Sequence, residues 1–192
     1  GDTNLQPDFI WVKNRTDSED HCLMDVVRTF ASGKAMRSNG ADAEGGVGTA
    51  ARGWVEAASD GFTCQEGSTN FNLTNASSDI YVAWCWKAGG SASAQTDGTI
   101  DTSRSASTTA GFSIATYTGN STNGATRGHG LGVVPHFIIV RNRTDGVKWY
   151  VYHHKNTAAP ETDYLELNAD SATTDQAGWN DTAPSSTLVT TS

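Results

Sequence analysis

The residues most able to do chemistry in this chain are its five histidines and its acidic clusters. His153 and His154 are adjacent, and neighbouring residues on a strand point to opposite faces, so the pair cannot easily bind one metal ion. Asp97 and Asp101 lack the remaining ligands of a calcium loop. No alternation of acids along a strand indicates the paired carboxylates of a glycosidase, and no GxSxG or SxxK motif is present. The sequence therefore predicts no metal site, no catalytic residue and no enzymatic activity.

Two other motifs also favour structural interpretations. The Gly-rich stretch 128–132 is followed by a strand pattern, whereas a phosphate-binding loop is followed by a helix, so we predict a turn and no cofactor. Cys22, Cys64 and Cys85 are widely spaced without a CxxC pair, which excludes the usual zinc motifs. They are interpreted as three reduced thiols, with one disulfide and a spare thiol as the alternative.

The aromatic residues are the most informative candidates for binding. Trp84 and Trp86 alternate with Tyr81, Ala83 and Cys85, and they share a strand face with other apolar residues, which is typical of a core. The densest aromatic patch lies further along the chain. Its members are predicted to bind a glycan or a protein partner, with packing as the alternative: Trp149, Tyr150, Tyr152 and His153.

Composition excludes several classes of partner. The 192 residues include 13 Lys and Arg against 21 Asp and Glu, which gives a formal net charge of −8. Such a chain has no basic surplus with which to bind nucleic-acid phosphates or an anionic membrane surface. No apolar run approaches the roughly 18 residues of a membrane-spanning helix. We therefore expect neither nucleic acid nor membrane as a partner.

The chain contains an internal repeat. Residues 7–17 and 135–145 are identical except at three positions, and the two segments are 128 residues apart. Further matches follow in the same order, so we divide the chain into a first repeat (1–90), a linker rich in Gly, Ser and Thr (91–110) and a second repeat (111–192) that lacks its closing strand. The positions to which we assign a structural role in the repeat are Pro7, Phe9, Ile10, Trp54, Trp84, Trp86, Pro135, Phe137, Ile138 and Trp179.

Short apolar or alternating runs bounded by Pro, Gly, Asn and Asp predict strands throughout. The clearest are Phe9–Val12, Ile80–Lys87, Gly111–Thr118, Phe137–Val140 and Val147–His154. We prefer a strand to a helix within residues 20–30 as well. The fold class is therefore predicted to be all-β, an antiparallel sandwich of the concanavalin A or jelly-roll kind, built from about one and a half repeats.

Two explanations of the incomplete second repeat are open. The chain is either an excerpt of a longer tandem-repeat polypeptide, or its halves complement each other within one chain or between subunits. The second explanation predicts that the strands at 80–87 and 111–118 lie side by side in one sheet.

Four strings, PDFIWVKNRT, IYVAWCWKAGG, GFSIATYTGN and GHGLGVVPHFIIVRNR, resemble a repeat domain of uncharacterised virion proteins from tailed bacteriophages. The resemblance covers residues 7–192 approximately. It implies a lectin-like β-sandwich carried in fibre, tail or capsid-surface proteins, with no assigned catalytic or ligand residues.

The resemblance leads to three functional hypotheses. The first is a bacteriophage structural protein that acts by assembly and surface presentation, whose partners are other copies of itself and other virion proteins. Its location is the virion, assembled in the bacterial cytoplasm and then extracellular. The alternative is a lectin-like module that binds host-surface glycans or another receptor. A glycan depolymerase is less favoured, because it needs a carboxylate pair in a groove.

Overall fold

A computed structural model describes residues 4–45, 53–65 and 73–192, and its regular elements are β-strands apart from one short 3-10 helix at Pro160–Thr162. Within these ranges, no helix is long and apolar enough to span a membrane. The strands are β1 Phe9–Asn14, β2 Cys22–Asp25, β3 Trp54–Ala58, β4 Gly61–Gln65, β5 Tyr81–Trp86, β6 Ser93–Gln95, β7 Thr102–Ser107, β8 Phe112–Tyr117, β9 Ala125–Gly128, β10 Phe137–Val140, β11 Tyr150–His153, β12 Asp163–Glu166, β13 Thr174–Asp175 and β14 Leu188–Thr191.

Among the described residues, all strand pairs are antiparallel, and they form five small sheets. The sheet orders are β2-β1-β5, β3-β4, β6-β7-β8, β9-β14 and β10-β11-β12-β13. The predicted fold class, an all-β, antiparallel and sandwich-like architecture, is confirmed. The five strands predicted most clearly are all present, and residues 20–30 contain β2 rather than a helix.

The first repeat builds its core from alternate residues of β1. Ile10 and Val12 are buried between the β2-β1-β5 sheet and the β3-β4 hairpin, together with Cys22, Met24 and Val55. This is the arrangement expected of two sheets that bury one face each. The three cysteines are free thiols, and burial raises the pKa of the Cys22 thiol to about 12, which keeps it protonated at neutral pH.

The first hairpin of the second repeat has the same strand register as the first hairpin of the first repeat. In the β1-β2 pair Ile10 lies opposite Met24, and in the β10-β11 pair Ile138 lies opposite Tyr152. Both members of the second pair come 128 positions after those of the first, and the other pairs of the two hairpins share this offset. The offset found in the sequence is therefore also the offset between two hairpins of the same register.

The polar segment that follows each of these strands adopts the same turn. The side-chain oxygen of Asn14 accepts hydrogen bonds from the backbone N–H groups of Thr16 and Asp17, at 2.8 and 3.1 Å. Asn142 accepts from the N–H groups of Thr144 and Asp145 at the same two distances. An Asn that bonds to the backbone two and three residues ahead stabilises a tight turn, which explains the shared Asn-Arg-Thr-Asp string.

The two repeats pack against each other through equivalent faces. Leu23 and Met36 of the first repeat form one buried cluster with Trp149 of the second, and partly buried Trp11 and Ile139 pack against it. Trp11 and Ile139 are equivalent positions of β1 and β10. The halves therefore share a core, and neither closes its outer face alone.

Residues 91–110 are part of the fold and not a linker, contrary to the sequence prediction. They contain the whole of β6 and β7, and Ile100, Thr102 and Ser105 are buried. Strand β7 also runs close to the end of β5, because a Cβ atom on Gly89 would lie 2.4 Å from the carbonyl oxygen of Ala106. The hydroxyl of Ser105 accepts the N–H of Gly89 at this contact, at 3.0 Å, so small residues of the segment make the close approach.

The expected pairing of residues 80–87 with residues 111–118 in one sheet is wrong. Strand β5 pairs with β1, and β8 pairs with β7. The two sheets nevertheless contact each other through aromatic rings: Phe112 stacks on Trp86 at 6.0 Å and meets Phe9 edge-on at 5.9 Å. The sheets are joined by side-chain packing instead of by hydrogen bonds.

Candidate functional site

The predicted aromatic patch of the second repeat does not form one binding surface. Trp149 is 6% exposed, and its indole N–H donates to the carbonyl oxygens of Arg37 and Gly40 at 3.0 and 3.2 Å. Tyr152 is buried in a different cluster, with Tyr164 and Trp179. The interpretation of Trp149 and Tyr152 as ligand-binding residues is therefore wrong, since burial in two separate cores leaves neither ring accessible.

The other two members of the patch, Tyr150 and His153, are partly exposed, but each contacts a different group of rings. The ring of Tyr150 meets that of Tyr164 edge-on at 4.9 Å. His153 belongs to a group of imidazoles in which His154 lies 4.9 Å from it and 4.1 Å from His136. In the described ranges, no group of three or more His, Cys, Asp and Glu side chains is arranged to hold a metal ion.

A partly exposed aromatic strip runs along the outer face of the β1-β5 pair and onto β8. It consists of Phe9, Trp11, Trp84, Trp86 and Phe112. Its two tryptophans from β5 are exposed, whereas its other rings are half-buried, and those from β1 also pack against the core that the two repeats share. Trp84 is 44% exposed and Trp86 is 37% exposed, so their interpretation as core residues is wrong. The core face of β5 is the opposite one, which carries Tyr81 and Cys85. Two exposed tryptophans on one strand face are suited to contact with a protein or a glycan.

Acrylamide quenching of tryptophan fluorescence should distinguish the exposed tryptophans of the strip from the buried tryptophans of the core. We expect Trp84→Phe to lower the quenchable fraction of the emission, because Trp84 is open to solvent. Trp179→Phe should raise that fraction slightly, since Trp179 is 3% exposed and its removal lowers only the emission that acrylamide does not quench. The Trp84 change should cost less than about 1.5 kcal/mol, as it keeps an aromatic ring in place. Equal quenching losses in the two variants would contradict the assigned faces of β5.

One tryptophan of the strip is held in place by a hydrogen bond to a neutral histidine. His21 lies against Trp11, and its Nδ1 accepts the indole N–H at 2.7 Å. This bond requires an unprotonated Nδ1. Burial, with a smaller effect of Lys13, lowers the pKa of His21, whereas Asp20 opposes the shift.

A second histidine is held neutral in the same way. Nδ1 of His129 accepts the backbone N–H of Leu131 at 3.3 Å, and Nε2 lies 3.2 Å from the carbonyl oxygen of Ser185. Burial lowers the pKa of His129, to which Arg104 adds, while the bond to Ser185 opposes the shift.

Stability should consequently fall as the solution becomes acidic. Both histidines have a folded-state pKa below the unfolded value of about 6.5, so the unfolded chain binds more protons there. The contribution is fully present above pH 6.5 and is lost as the pH falls through the folded-state values. Urea unfolding between pH 7.5 and 5 measures this loss. The double variant His21→Gln with His129→Gln should show a shallower decline, and an unchanged decline would contradict the assignment.

A groove of about 1170 Å³ lies beside the β10-β11 turn. Its walls include Tyr117, Arg127, Tyr150 and residues 140–145. Arg127 is 7% exposed, its guanidinium lies 4.0 Å above the ring of Tyr117, and its Nη1 donates to the hydroxyl of Thr191 at 2.6 Å. No carboxylate of the described residues forms an ion pair with it. A buried cation on an aromatic ring, without an acidic partner, makes the groove wall attractive to an anionic group.

The sequence profile of one family, described as "Domain of unknown function (DUF7483)", matches residues 2–192. The chain belongs to the DUF7483 family. No curated protein and no solved structure matched the chain.

The carboxylates of the DUF7483 groove are engaged in ion pairs and turns. Glu44 is bonded to Arg28 at 3.3 Å and to Arg143 at 2.6 Å. Asp145 accepts a hydrogen bond from the amide of Asn142 at 3.1 Å. Both acids line the groove, but their carboxylates are occupied by these arginines and by the amide of Asn142.

Both surfaces of the DUF7483 domain were missed from the sequence. For the strip, the sequence did contain a signal. Tyr81, Ala83 and Cys85 on the opposite face of β5 also form an apolar row, so either face of this strand could have been the buried one. For the groove there was no signal, because Tyr117 and Arg127 come from different sheets and meet only in the folded chain.

Proposed function

We propose that the chain is a structural repeat module of a bacteriophage virion, in a fibre, tail or capsid-surface protein. Its role is assembly and the presentation of a rigid β surface. The sequence strings that resemble virion repeat domains suggest the location, and the packing of the two repeats supports the assembly role.

The observation that carries the proposal is the shared core of the two repeats. Each repeat leaves the outer face of its first hairpin apolar and covers it with the equivalent face of the other, around Leu23, Met36 and Trp149. A unit that needs a neighbour of its own kind to bury its surface is suited to tandem arrays and symmetric assemblies. The aromatic strip offers a further contact surface, for other copies of the chain or for other virion proteins.

Particle context tests the proposal directly. Cryo-electron microscopy of the native source material should find the chain as symmetric copies on a virion or its appendage. Mass spectrometry of purified particles should recover its peptides in the same fractions as capsid proteins. A chain found only as a free monomer outside particles would refute the proposal.

A lectin-like receptor binder is the second candidate, and the groove favours it. Tyr117 offers a ring on which a sugar can stack, and the buried Arg127 suits a carboxylate or sulfate group of an acidic glycan. A glycan array should then show a preference for acidic glycans. Tyr117→Ala should abolish binding, whereas the control Trp84→Ala, outside the groove, should not change it. A depolymerase remains the least favoured function, since it requires two carboxylates free to act.

A further inference from the structure

Strand β10 has one unoccupied edge among the described residues. It pairs with β11 only, and the alternation of an antiparallel ladder directs the main-chain groups of Ile138 and Val140 toward β11. The N–H and C=O groups of Phe137, Ile139 and Arg141 therefore point to the other side. Within the described part of the chain, none of these main-chain groups has a hydrogen-bond partner. An open row of this kind is a template for an additional strand.

The first repeat shows which strand fits such an edge. In β1 the equivalent residues lie opposite β5, with Phe9 across from Trp86 and Trp11 across from Trp84. Because the β1-β2 and β10-β11 hairpins share one register, the edge that β5 occupies on β1 is the same edge that is open on β10.

The turn after β1 provides a second, independent sign. Arg15 N–H donates to the carbonyl oxygen of Ile80 at 2.7 Å, and the hydroxyl of Thr16 accepts the N–H of Ile80 at 2.9 Å. The Asn14 amide donates to the carboxylate of Asp79 at 2.7 Å. Three groups of the turn thus hold the residues that lead into β5.

The equivalent turn after β10 has the same groups without these partners. In the described ranges, the N–H of Arg143 and the hydroxyl of Thr144 make no hydrogen bond, and the Asn142 amide turns back to Asp145 at 3.1 Å. All of them line the groove described above. In the first repeat, Tyr81 lies opposite Asn14, so an equivalent tyrosine would enter the groove opposite Asn142.

We propose that the open edge of β10, together with the groove at its end, accepts an extended segment of the β5 type from a further copy of the repeat. The incoming strand runs antiparallel to β10 in the register of the β1-β5 pair. Its tryptophans lie over Phe137 and Ile139, its small residues cover Ile138 and Val140, and its tyrosine fills the groove. The inference rests on the proposed assembly role, which it makes more specific. Strand addition to β10 can nevertheless be tested on the purified chain, without virus particles.

The test uses the intact chain and a synthetic peptide with the sequence of residues 79–88, its cysteine replaced by serine. We expect saturable binding by calorimetry and protection of the amides of Phe137, Ile139 and Arg141 from hydrogen exchange. Methylation of the peptide nitrogen equivalent to Trp84, which faces the acceptor strand, should abolish binding. Methylation at the position of Ala83, which faces away, should leave binding intact.

A pair of variants tests the acceptor side. Ile139→Pro removes one outward N–H and should weaken peptide binding at least about tenfold relative to Ile139→Ala, which loses the same packing but keeps the N–H. If the peptide fails to protect these amides, or if both methylated peptides bind alike, the proposal is wrong. It is also wrong if the amides of β10 become protected with rising protein concentration and the peptide does not compete, because two copies then pair through β10 itself. None of these outcomes bears on whether the chain is found on virions.

Discussion

Replacement of Trp149 by alanine is expected to lower the free energy of unfolding by about 3–5 kcal/mol, the range for deletion of a large aromatic side chain from a core. Trp149 lies between the two repeats, against Leu23 and Met36, so its loss leaves a cavity in the interface that joins them. Denaturant unfolding followed by circular dichroism measures the change. We expect the transition to broaden as well, because the halves lose the contact that makes them unfold together.

The hydrogen bonds of Trp149 contribute separately from its volume. Trp149→Phe keeps an apolar ring but leaves the carbonyl oxygens of Arg37 and Gly40 without their donor, and should cost about 1–3 kcal/mol. Trp84→Ala on the aromatic strip is the matched control and should cost clearly less than Trp149→Ala. Equal losses at the two positions would refute the assignment of Trp149 to a shared core.

Replacement of Arg28 by methionine is the second change with a large expected effect, about 3–5 kcal/mol. Arg28 is buried, and its guanidinium donates to the carboxylate of Asp25 at 2.6 Å and to the carbonyl oxygens of Lys34 and Leu23 at 2.5 and 3.1 Å. Its removal leaves the Asp25 carboxylate, which is 3% exposed, without its ion-pair partner, so that only the backbone N–H of residue 28 still donates to it, at 2.9 Å. The bond to the carbonyl oxygen of Lys34, in the loop that follows β2, is lost as well. Chemical denaturation at pH 7 measures the loss.

A double-mutant cycle distinguishes the unpaired charge from lost packing. Asp25→Asn introduced into the Arg28→Met variant removes the stranded charge and should recover part of the stability. Arg28→Lys should remain destabilised, since one ammonium group cannot bond the carboxylate and two carbonyl oxygens in the same fork. A double variant that is less stable than Arg28→Met alone would show that the cost does not come from an unpaired carboxylate.

Strand positions were largely predictable from the sequence, because alternation and turn residues are local signals. Strand β10 spans the predicted Phe137–Val140, and β5 differs from the predicted 80–87 by one residue at each end. The repeat was predictable for the same reason, since residues 7–17 and 135–145 fold into the same strand and turn.

The faces of the strands were not predictable, because they depend on what packs against them. Both faces of β5 carry an apolar row, and the β3-β4 hairpin lies on the side of Tyr81 and Cys85, which leaves Trp84 in solvent. Trp149 is buried by backbone more than a hundred residues away. In β7, buried Thr102 and Ser105 give no hydrophobic pattern, so composition alone indicated a linker.

The common register of the two hairpins also has a consequence for the order of events when the chain refolds. Strands β1 and β10 present the same edge, and β10 is closer to β5 along the chain than β1 is. Shorter loops close at a lower entropic cost, so β10 meets β5 at least as readily as β1 does. The β10-β5 pair is then a competing encounter that must dissolve before the final sheet forms. A duplicated strand therefore gives the refolding chain a second, non-native partner for β5, and we expect a slow refolding phase that disappears when β10 is disrupted.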